Sequence, residues 1–263
     1  MFDYQELTKK LESLKKYRPL TKGQQDALNF DIKVEHVWSS NAIEGSSINR
    51  GETASILANG ITIHGELIKD ILATLDLSEA YDYMVNLASK PHRLTIADIR
   101  DFNRLTQLRE KSRETGSYRI TKAYPYGFDD EPYVDPVDIP IQMNDLIMWA
   151  NNAENTEHPI KYAADLHFKF ISIHPFNDGN GRTARLLMNF TLMQNRYPVV
   201  NIQPDKDSRN HYINVLAKCR KEKNPTGFEE YLAVLTSKAL DQRIKILQLN
   251  DSNYQAIKNK YRT

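Results

Sequence analysis

Residues 174–185 read His-Pro-Phe-Asn-Asp-Gly-Asn-Gly-Arg-Thr-Ala-Arg, and this stretch organises the interpretation of the whole chain. Before it, residues 160–173 carry apolar side chains at helical spacing, which predicts a buried helix that delivers His174 to a fixed position. Pro175 forces the chain out of that helix. A second helix is predicted to start near Gly181 and to turn its apolar side chains inward.

The residue types around the predicted turn suit a bound phosphate. Gly179 and Gly181 flank Asn180 at the mouth of a helix, where backbone N–H groups and the helix dipole attract anions. Arg182 and Arg185 are three positions apart and therefore share one helical face. Two guanidinium groups beside an anion-binding turn favour a polyphosphate ligand.

Two further residues of the stretch indicate catalysis. Asp178 provides a hard carboxylate oxygen, the ligand that Mg²⁺ bound to phosphates prefers. His174 ends a packed helix and is suited to accept a proton from an attacking hydroxyl. Each feature alone is ordinary, because Asp-Gly-Asn-Gly is a common turn sequence. Their coincidence within twelve residues favours a nucleotide site.

Composition and competing motifs narrow the function further. The 263-residue chain has 26% charged residues and a formal net charge of +1, so no bulk field points to nucleic acid or a membrane surface. Cys219 is the single cysteine, and the N-terminus lacks a secretory pattern, which together predict a cytoplasmic protein. The sequence contains no phosphate loop and no EF-hand or zinc-site spacing.

Helical periodicity dominates the chain and predicts an all-α fold. Thr21, Asn49 with Glu52, and Thr95 with Asp98 read as helix starts. Residues 116–140 differ, because they concentrate prolines and tyrosines. This stretch predicts a short β-hairpin or an ordered loop rather than a helix.

The stretch 174–185 resembles the Fic motif, His-Pro-Phe-x-Asp/Glu-Gly-Asn-Gly-Arg-x-x-Arg, at every specified position. The resemblance implies the Fic fold, a helical bundle with a small β-hairpin flap. It also implies a nucleotidyltransferase that moves AMP from ATP to a hydroxyl side chain of a target protein, with Mg²⁺ and with release of pyrophosphate.

The resemblance also implies roles for single residues. His174 would deprotonate the target, Asp178 would hold Mg²⁺, and the backbone of Gly179 to Gly181 with Asn180 would form an anion hole. Arg182 and Arg185 would hold the β- and γ-phosphates. Further residues implied to line the nucleotide pocket are Arg209 and Tyr212. Residues implied to hold the target segment, on a flap at about 116–136, are Tyr118, Arg119, Ile120, Thr121 and Lys122.

A second segment, Ser40-Asn41-Ala42-Ile43-Glu44-Gly45, resembles the inhibitory pattern of the same family. Ser40 and Glu44 are four apart and project from one helical face. The resemblance implies that Glu44 pairs with Arg185 and blocks the γ-phosphate. It therefore predicts the subgroup with an N-terminal inhibitory helix.

These expectations divide the chain into three parts. An N-terminal helical region covers 1–90 and carries the inhibitory helix at about 31–45. The Fic core covers 91–235, and a C-terminal helix with a polar tail covers 236–263.

The sequence leaves several alternatives open. Glu44 could instead position water for removal of AMP from a target, or the protein could be a non-catalytic nucleotide-binding regulator. Phosphate or phosphocholine transfer also occurs on this fold, although the Gly-Asn-Gly-Arg form disfavours phosphate. The target protein is not identified. It could be the chain itself, for example at Tyr124, Tyr126 or Tyr133, and a homo-oligomer is possible.

Overall fold

The part of the chain that the structure describes contains ten α-helices. The computed structural model describes residues 3–62, 65–109, 115–125 and 132–260. Within those ranges the helices are α1 Tyr4–Ser13, α2 Lys22–Ile43, α3 Arg50–Asn59, α4 Ile68–Ala88, α5 Ile96–Leu105, α6 Ile139–Ala153, α7 Pro159–Ile173, α8 Asn180–Gln194, α9 Lys206–Glu222 and α10 Thr226–Lys260. The expected all-α fold is confirmed.

Local signals set several helix starts. Thr21, Asn49 and Thr95 each cap a helix through a reciprocal capping box with the residue three positions on. α3 ends at Gly60, whose φ of 66° is the left-handed conformation that glycine adopts without strain.

The centre of the bundle is the antiparallel pair α7 and α8, which pack along each other. Every residue of α8 from Arg182 to Leu192 is buried, so this helix is enclosed on all sides. α4 and α5 cover α8 on one side, and α6 and α10 cover α7. α1 packs on α10, with Tyr4 beside Glu229 and Lys10 paired with Asp241.

Two apolar clusters hold these layers. One joins α4, α5, α6, α7 and α8 around fully buried residues such as Phe102, Phe170 and Leu187. The other joins α1, α7, α8 and α10 around Leu7, Phe228 and others. Together they fix both ends of the α7–α8 turn, and the motif 174–185 lies at that turn.

None of the described helices has the length and apolar composition that a membrane-crossing segment requires.

The stretch 116–136 forms no regular strand in its described part. Tyr118 makes an isolated antiparallel bridge to Phe176, and the Tyr133 N–H donates to the Ala123 carbonyl at 2.9 Å. The Tyr133–Ala123 bond is what the base of a hairpin requires. The expected hairpin tip, including Tyr126, lies outside the described residues.

The stability of this core should depend on two buried histidines. Burial lowers the pKa of His36 to about 4 and of His167 to about 3, below the ordinary value of about 6.5. Unfolding restores that value, so the unfolded chain binds more protons between these limits. We expect the free energy of unfolding to fall by about 1.4 kcal/mol per pH unit and histidine as pH drops from 6.5 towards 4.

Urea denaturation at successive pH values measures this slope. His167→Gln removes one titrating group and should reduce the slope in that window, whatever its effect at pH 7. An unchanged slope would contradict the assignment.

Candidate functional site

The turn between α7 and α8 is held in an unusual backbone conformation. His174 follows α7 with φ 52° and ψ 59°, the left-handed region that residues other than glycine seldom adopt. Its N–H donates to the Phe170 carbonyl at 3.0 Å, which closes the helix. Such a conformation persists only where the surroundings determine it.

Asn180 fixes the loop that follows. Its Nδ2 donates to the Phe176 carbonyl at 2.8 Å, and its Oδ1 accepts from the Phe176 N–H at 3.0 Å. Asn180 is 2% exposed, and the Phe176 ring is buried beside Phe170. The side chain of Asn180 is therefore committed to the loop. Its contribution to an anion hole is the backbone at the first turn of α8.

Two residues that the sequence analysis did not select hold the Asp178 backbone. Asn103 Nδ2 and Gln107 Nε2 each donate to the Asp178 carbonyl at 2.8 Å. Gly179, with φ 76°, approaches this pair so closely that a Cβ would lie 2.4 Å from Gln107 Nε2. Glycine is thus required here by both backbone conformation and space. No periodicity or motif marks Asn103 and Gln107 in advance.

The Asp178 side chain points towards solvent. It is 46% exposed, and one oxygen accepts from the Gly179 N–H at 2.6 Å. Arg182 Nη2 lies 3.7 Å from that oxygen, while Arg182 Nη1 donates to the Thr106 carbonyl at 3.1 Å. Within the described ranges no three His, Cys, Asp or Glu side chains gather closely enough to enclose a metal. One accessible carboxylate does fit Mg²⁺ that is bound largely by phosphates and water.

Arg185 is buried and receives its partners from α2. Its Nε donates to Ser40 Oγ at 2.8 Å, and Nη2 donates to the Ser40 carbonyl at 2.9 Å and to Glu44 Oε1 at 2.7 Å. Burial acts to lower the pKa of Arg185, but Glu44 and Tyr212 outweigh it, so the pKa is raised. The structure thus brings together two segments that are 141 positions apart.

Glu44 occupies the space in front of the first turn of α8. A Cβ on Gly181 would lie 2.3 Å from Glu44 Oε1 and 3.1 Å from Arg185 Nη1. The carboxylate therefore lies against the end of α8 that attracts anions. The Glu44 side chain remains 44% exposed, whereas that of Arg185 is 4% exposed.

Arg209 and Tyr212 contact the same region from α9. Arg209 Nε donates at 2.8 Å to the carbonyl of Ile43, the last residue of α2. The Tyr212 hydroxyl lies 3.0 Å from Nε2 of His167 and also interacts with Arg185. Arg209 thus binds the C-terminal end of α2, and Tyr212 contacts Arg185.

The half-buried imidazole of His174 lies beside the flap and α9. Burial, followed by the charge of Arg119, lowers its pKa to about 4. The ring of Tyr133 stacks on it, with centroids 4.0 Å apart. A neutral imidazole at physiological pH is the form that accepts a proton.

The five flap residues lie in different environments. Arg119 is 2% exposed, and its guanidinium donates to the carbonyls of His174, Thr121 and Val134. Its side chain thus faces the protein rather than an outside segment. Tyr118 packs on Phe176, whereas Ile120 is 89% exposed, and Lys122 pairs with Asp135 at 3.7 Å at the surface.

Comparison with known proteins gives consistent results. The family model described as Fic/DOC family matches residues 92–192. The Protein adenylyltransferase Fic of Culex quinquefasciatus is 32% identical over 240 residues, which are 90% of this chain and 47% of that protein. The protein of the same name from Nematostella vectensis is 36% identical over 183 residues, 68% of this chain and 42% of the relative. The chain therefore spans less than half the length of these curated relatives.

Solved structures share the fold. A Fic domain containing signaling protein from Bacteroides thetaiotaomicron superimposes with a TM-score of 0.83 at 28% identity, over 93% of this chain and 96% of that one. Fic-1 from C. elegans gives a TM-score of 0.78 at 26% identity, over 92% of this chain and 70% of that one.

Asn103→Ala tests the support of the turn. Asn103 bonds two backbone groups, the Asp178 carbonyl and the buried N–H of Gly116, at 2.8 and 3.0 Å. Its loss takes the acceptor from the Gly116 N–H and one of two donors from the Asp178 carbonyl, which should cost about 1–3 kcal/mol of unfolding free energy. Asn86→Ala, at an exposed position of α4, is the control and should change it by less than about 0.5 kcal/mol in urea denaturation. Equal effects of the two substitutions would refute this support.

Proposed function

The chain belongs to the Fic/DOC family, and we propose that it is a protein adenylyltransferase restrained by its own Glu44. The observation that carries the proposal is the convergence at one helix end. His174, Asp178, Arg182 and Arg185 surround the first turn of α8, and Glu44 lies against that turn. A cytoplasmic setting is part of the proposal, because a single cysteine suits a reducing compartment.

The reaction divides among these groups as follows. The target hydroxyl oxygen attacks the α-phosphorus of ATP, and the bond to the β-phosphate oxygen breaks, which releases pyrophosphate. His174 accepts the hydroxyl proton, since its low pKa keeps the imidazole neutral. Two features keep the imidazole in place during this transfer. They are the left-handed backbone conformation of His174 and the hydrogen bond that Arg119 Nε donates to the His174 carbonyl.

The phosphates require positive charge and N–H donors. The first turn of α8 offers both, because its N–H groups have no partner within the helix. Arg185 and Arg182 add guanidinium groups within the same turn. Asp178 would hold Mg²⁺, which neutralises phosphate charge when bound, and the exposed carboxylate supports this role.

The restraint follows from competition for Arg185. Glu44 Oε1 accepts a hydrogen bond from Arg185 Nη2 at 2.7 Å and lies over Gly181, where a phosphate oxygen would approach the helix end. Exposed ion pairs contribute up to about 1 kcal/mol, while breaking a buried pair costs about 3–5 kcal/mol. The pair here is buried on the arginine side only, so we assign it an intermediate value of about 1–3 kcal/mol.

One observation favours AMP removal as a second candidate. The Glu44 carboxylate is 44% exposed and lies within the site rather than outside it. It could therefore hold a water molecule near a modified side chain. Incubation of an AMP-modified protein with the wild-type chain, with Glu44→Gly as the comparison, tests this candidate. If Glu44→Gly no longer releases AMP, the result supports this candidate. If Glu44→Gly still releases AMP, Glu44 does not hold the water.

Glu44→Gly should raise AMP transfer about tenfold to a hundredfold, because about 1.4 kcal/mol corresponds to a factor of ten. Glu44→Gln keeps the size of the side chain but loses its charge, and we expect an intermediate rate. The measurement is transfer of label from α-labelled ATP with Mg²⁺ to the chain itself and to offered proteins, followed by intact-mass analysis.

His174→Ala in the Glu44→Gly chain is the matched negative control and should abolish transfer. A Glu44→Gly chain no faster than wild type would refute the restraint. Transfer that survives His174→Ala would refute the assignment of the base.

A further inference from the structure

Tyr133 covers one face of the His174 imidazole. The two rings lie almost parallel, with an interplanar angle of 12° and centroids 4.0 Å apart. On the Tyr133 ring lies a cation as well, since Cζ of Arg220 is 4.5 Å from its centroid. Arg220 comes from α9, so elements distant in the sequence meet at the proposed base.

The backbone around Tyr133 is tied to the same scaffold as His174. The Tyr133 N–H donates to the Ala123 carbonyl at 2.9 Å. The carbonyl of the next residue, Val134, accepts from Arg119, and Arg119 Nε donates to the His174 carbonyl at 2.8 Å. One buried guanidinium thus fixes the backbone on both sides of the stack, so the two rings are held at a constant separation.

The charges that face His174 come from three elements. Arg119 of the flap and Arg220 of α9 act to lower its pKa, and Glu44 at the end of α2 acts to raise it, but burial is the largest influence. An aromatic ring at stacking distance excludes water from the face that it covers. Tyr133 therefore supplies part of the burial that keeps the imidazole neutral.

We propose that Tyr133 is a positioning residue for the reaction: its ring, with Arg220 against it, holds the imidazole of His174 in one plane and keeps one face dry. The inference rests on the proposed function, in which His174 accepts the proton of the target hydroxyl. The Tyr133 phenol oxygen forms a hydrogen bond with Arg220, whereas the effect on His174 comes from the ring that covers its imidazole. Tyr133→Phe should accordingly behave like the parent, whereas Tyr133→Ala should not.

The experiment uses the full-length Glu44→Gly chain as parent and has two readouts. The first is the pH dependence of kcat/KM for AMP transfer, which reports the pKa of the base in the free enzyme. The second is NMR titration of the His174 ring C–H signals, which needs no activity. In Tyr133→Ala we expect the pKa of His174 to move from about 4 towards the ordinary value of about 6.5, and the acid limb of the rate profile to move with it.

We also expect Tyr133→Ala to lower kcat about tenfold or more at pH 7.5, where the imidazole is neutral in every variant, because the ring is no longer held. Tyr133→Phe should keep the titration and at least about half of the parent's kcat. Tyr124→Ala, at a flap tyrosine that is 48% exposed, is the matched control and should leave the His174 titration unchanged.

Two results would overturn the proposal: an unchanged His174 titration in Tyr133→Ala, or a Tyr133→Phe chain as impaired as Tyr133→Ala. If Tyr133→Ala unfolds below the assay temperature by circular dichroism, Tyr133→Leu replaces it, since it keeps bulk without a planar face. A parent without AMP transfer would count against the proposed function alone, because the titration still reports on the stack.

Discussion

A permanent positive charge lies inside this protein, because α8 is enclosed on all sides and Arg185 belongs to it. A buried guanidinium requires both a counter-charge and acceptors for its N–H groups. The end of α2 provides these in one turn, through Ser40 Oγ, the Ser40 carbonyl and the Glu44 carboxylate. The position of α2 therefore depends on the charge of Arg185, which lies at the centre of the helical bundle.

The same requirement explains why Glu44 lies where an anion would bind. The first turn of α8 attracts negative charge through its free N–H groups and its dipole, and Arg185 adds to this attraction. The Glu44 carboxylate supplies this negative charge from within the protein. In the proposed function, a phosphate that binds must displace Glu44 from Arg185, so the restraint and this stabilising ion pair are one interaction.

Sequence reasoning predicted the parts of this arrangement that depend on short-range signals. Capping boxes at Thr21, Asn49 and Thr95 fixed helix starts, and the apolar stripe of α7 predicted its burial. The family resemblance paired Glu44 with Arg185, a contact that residue spacing alone could not reveal. Asn103 and Gln107 were beyond prediction, because an amide that bonds a backbone carbonyl about 70 positions later follows no local pattern.

The flap illustrates a second limit. From the sequence, Arg119 was expected to hold a target segment, and Tyr133 was one of several flap tyrosines that could be modified by the chain itself. Their roles depend on which neighbour each side chain meets. Arg119 faces inward and binds carbonyls on both sides of the turn, whereas Ile120 next to it is 89% exposed. The chain bends at Ile120 and Thr121, directly after Arg119, so neighbouring side chains face different surroundings.

The left-handed conformation of His174 links these contacts to chemistry. Such a conformation costs about 1–3 kcal/mol for a residue other than glycine. Two hydrogen bonds hold it: the His174 N–H donates to the Phe170 carbonyl, and Arg119 Nε donates to the His174 carbonyl. The paired hydrogen bonds between Phe176 and Asn180 fix the loop that follows. In the proposed function these bonds order the imidazole when the chain folds, so that ordering adds no cost to the reaction.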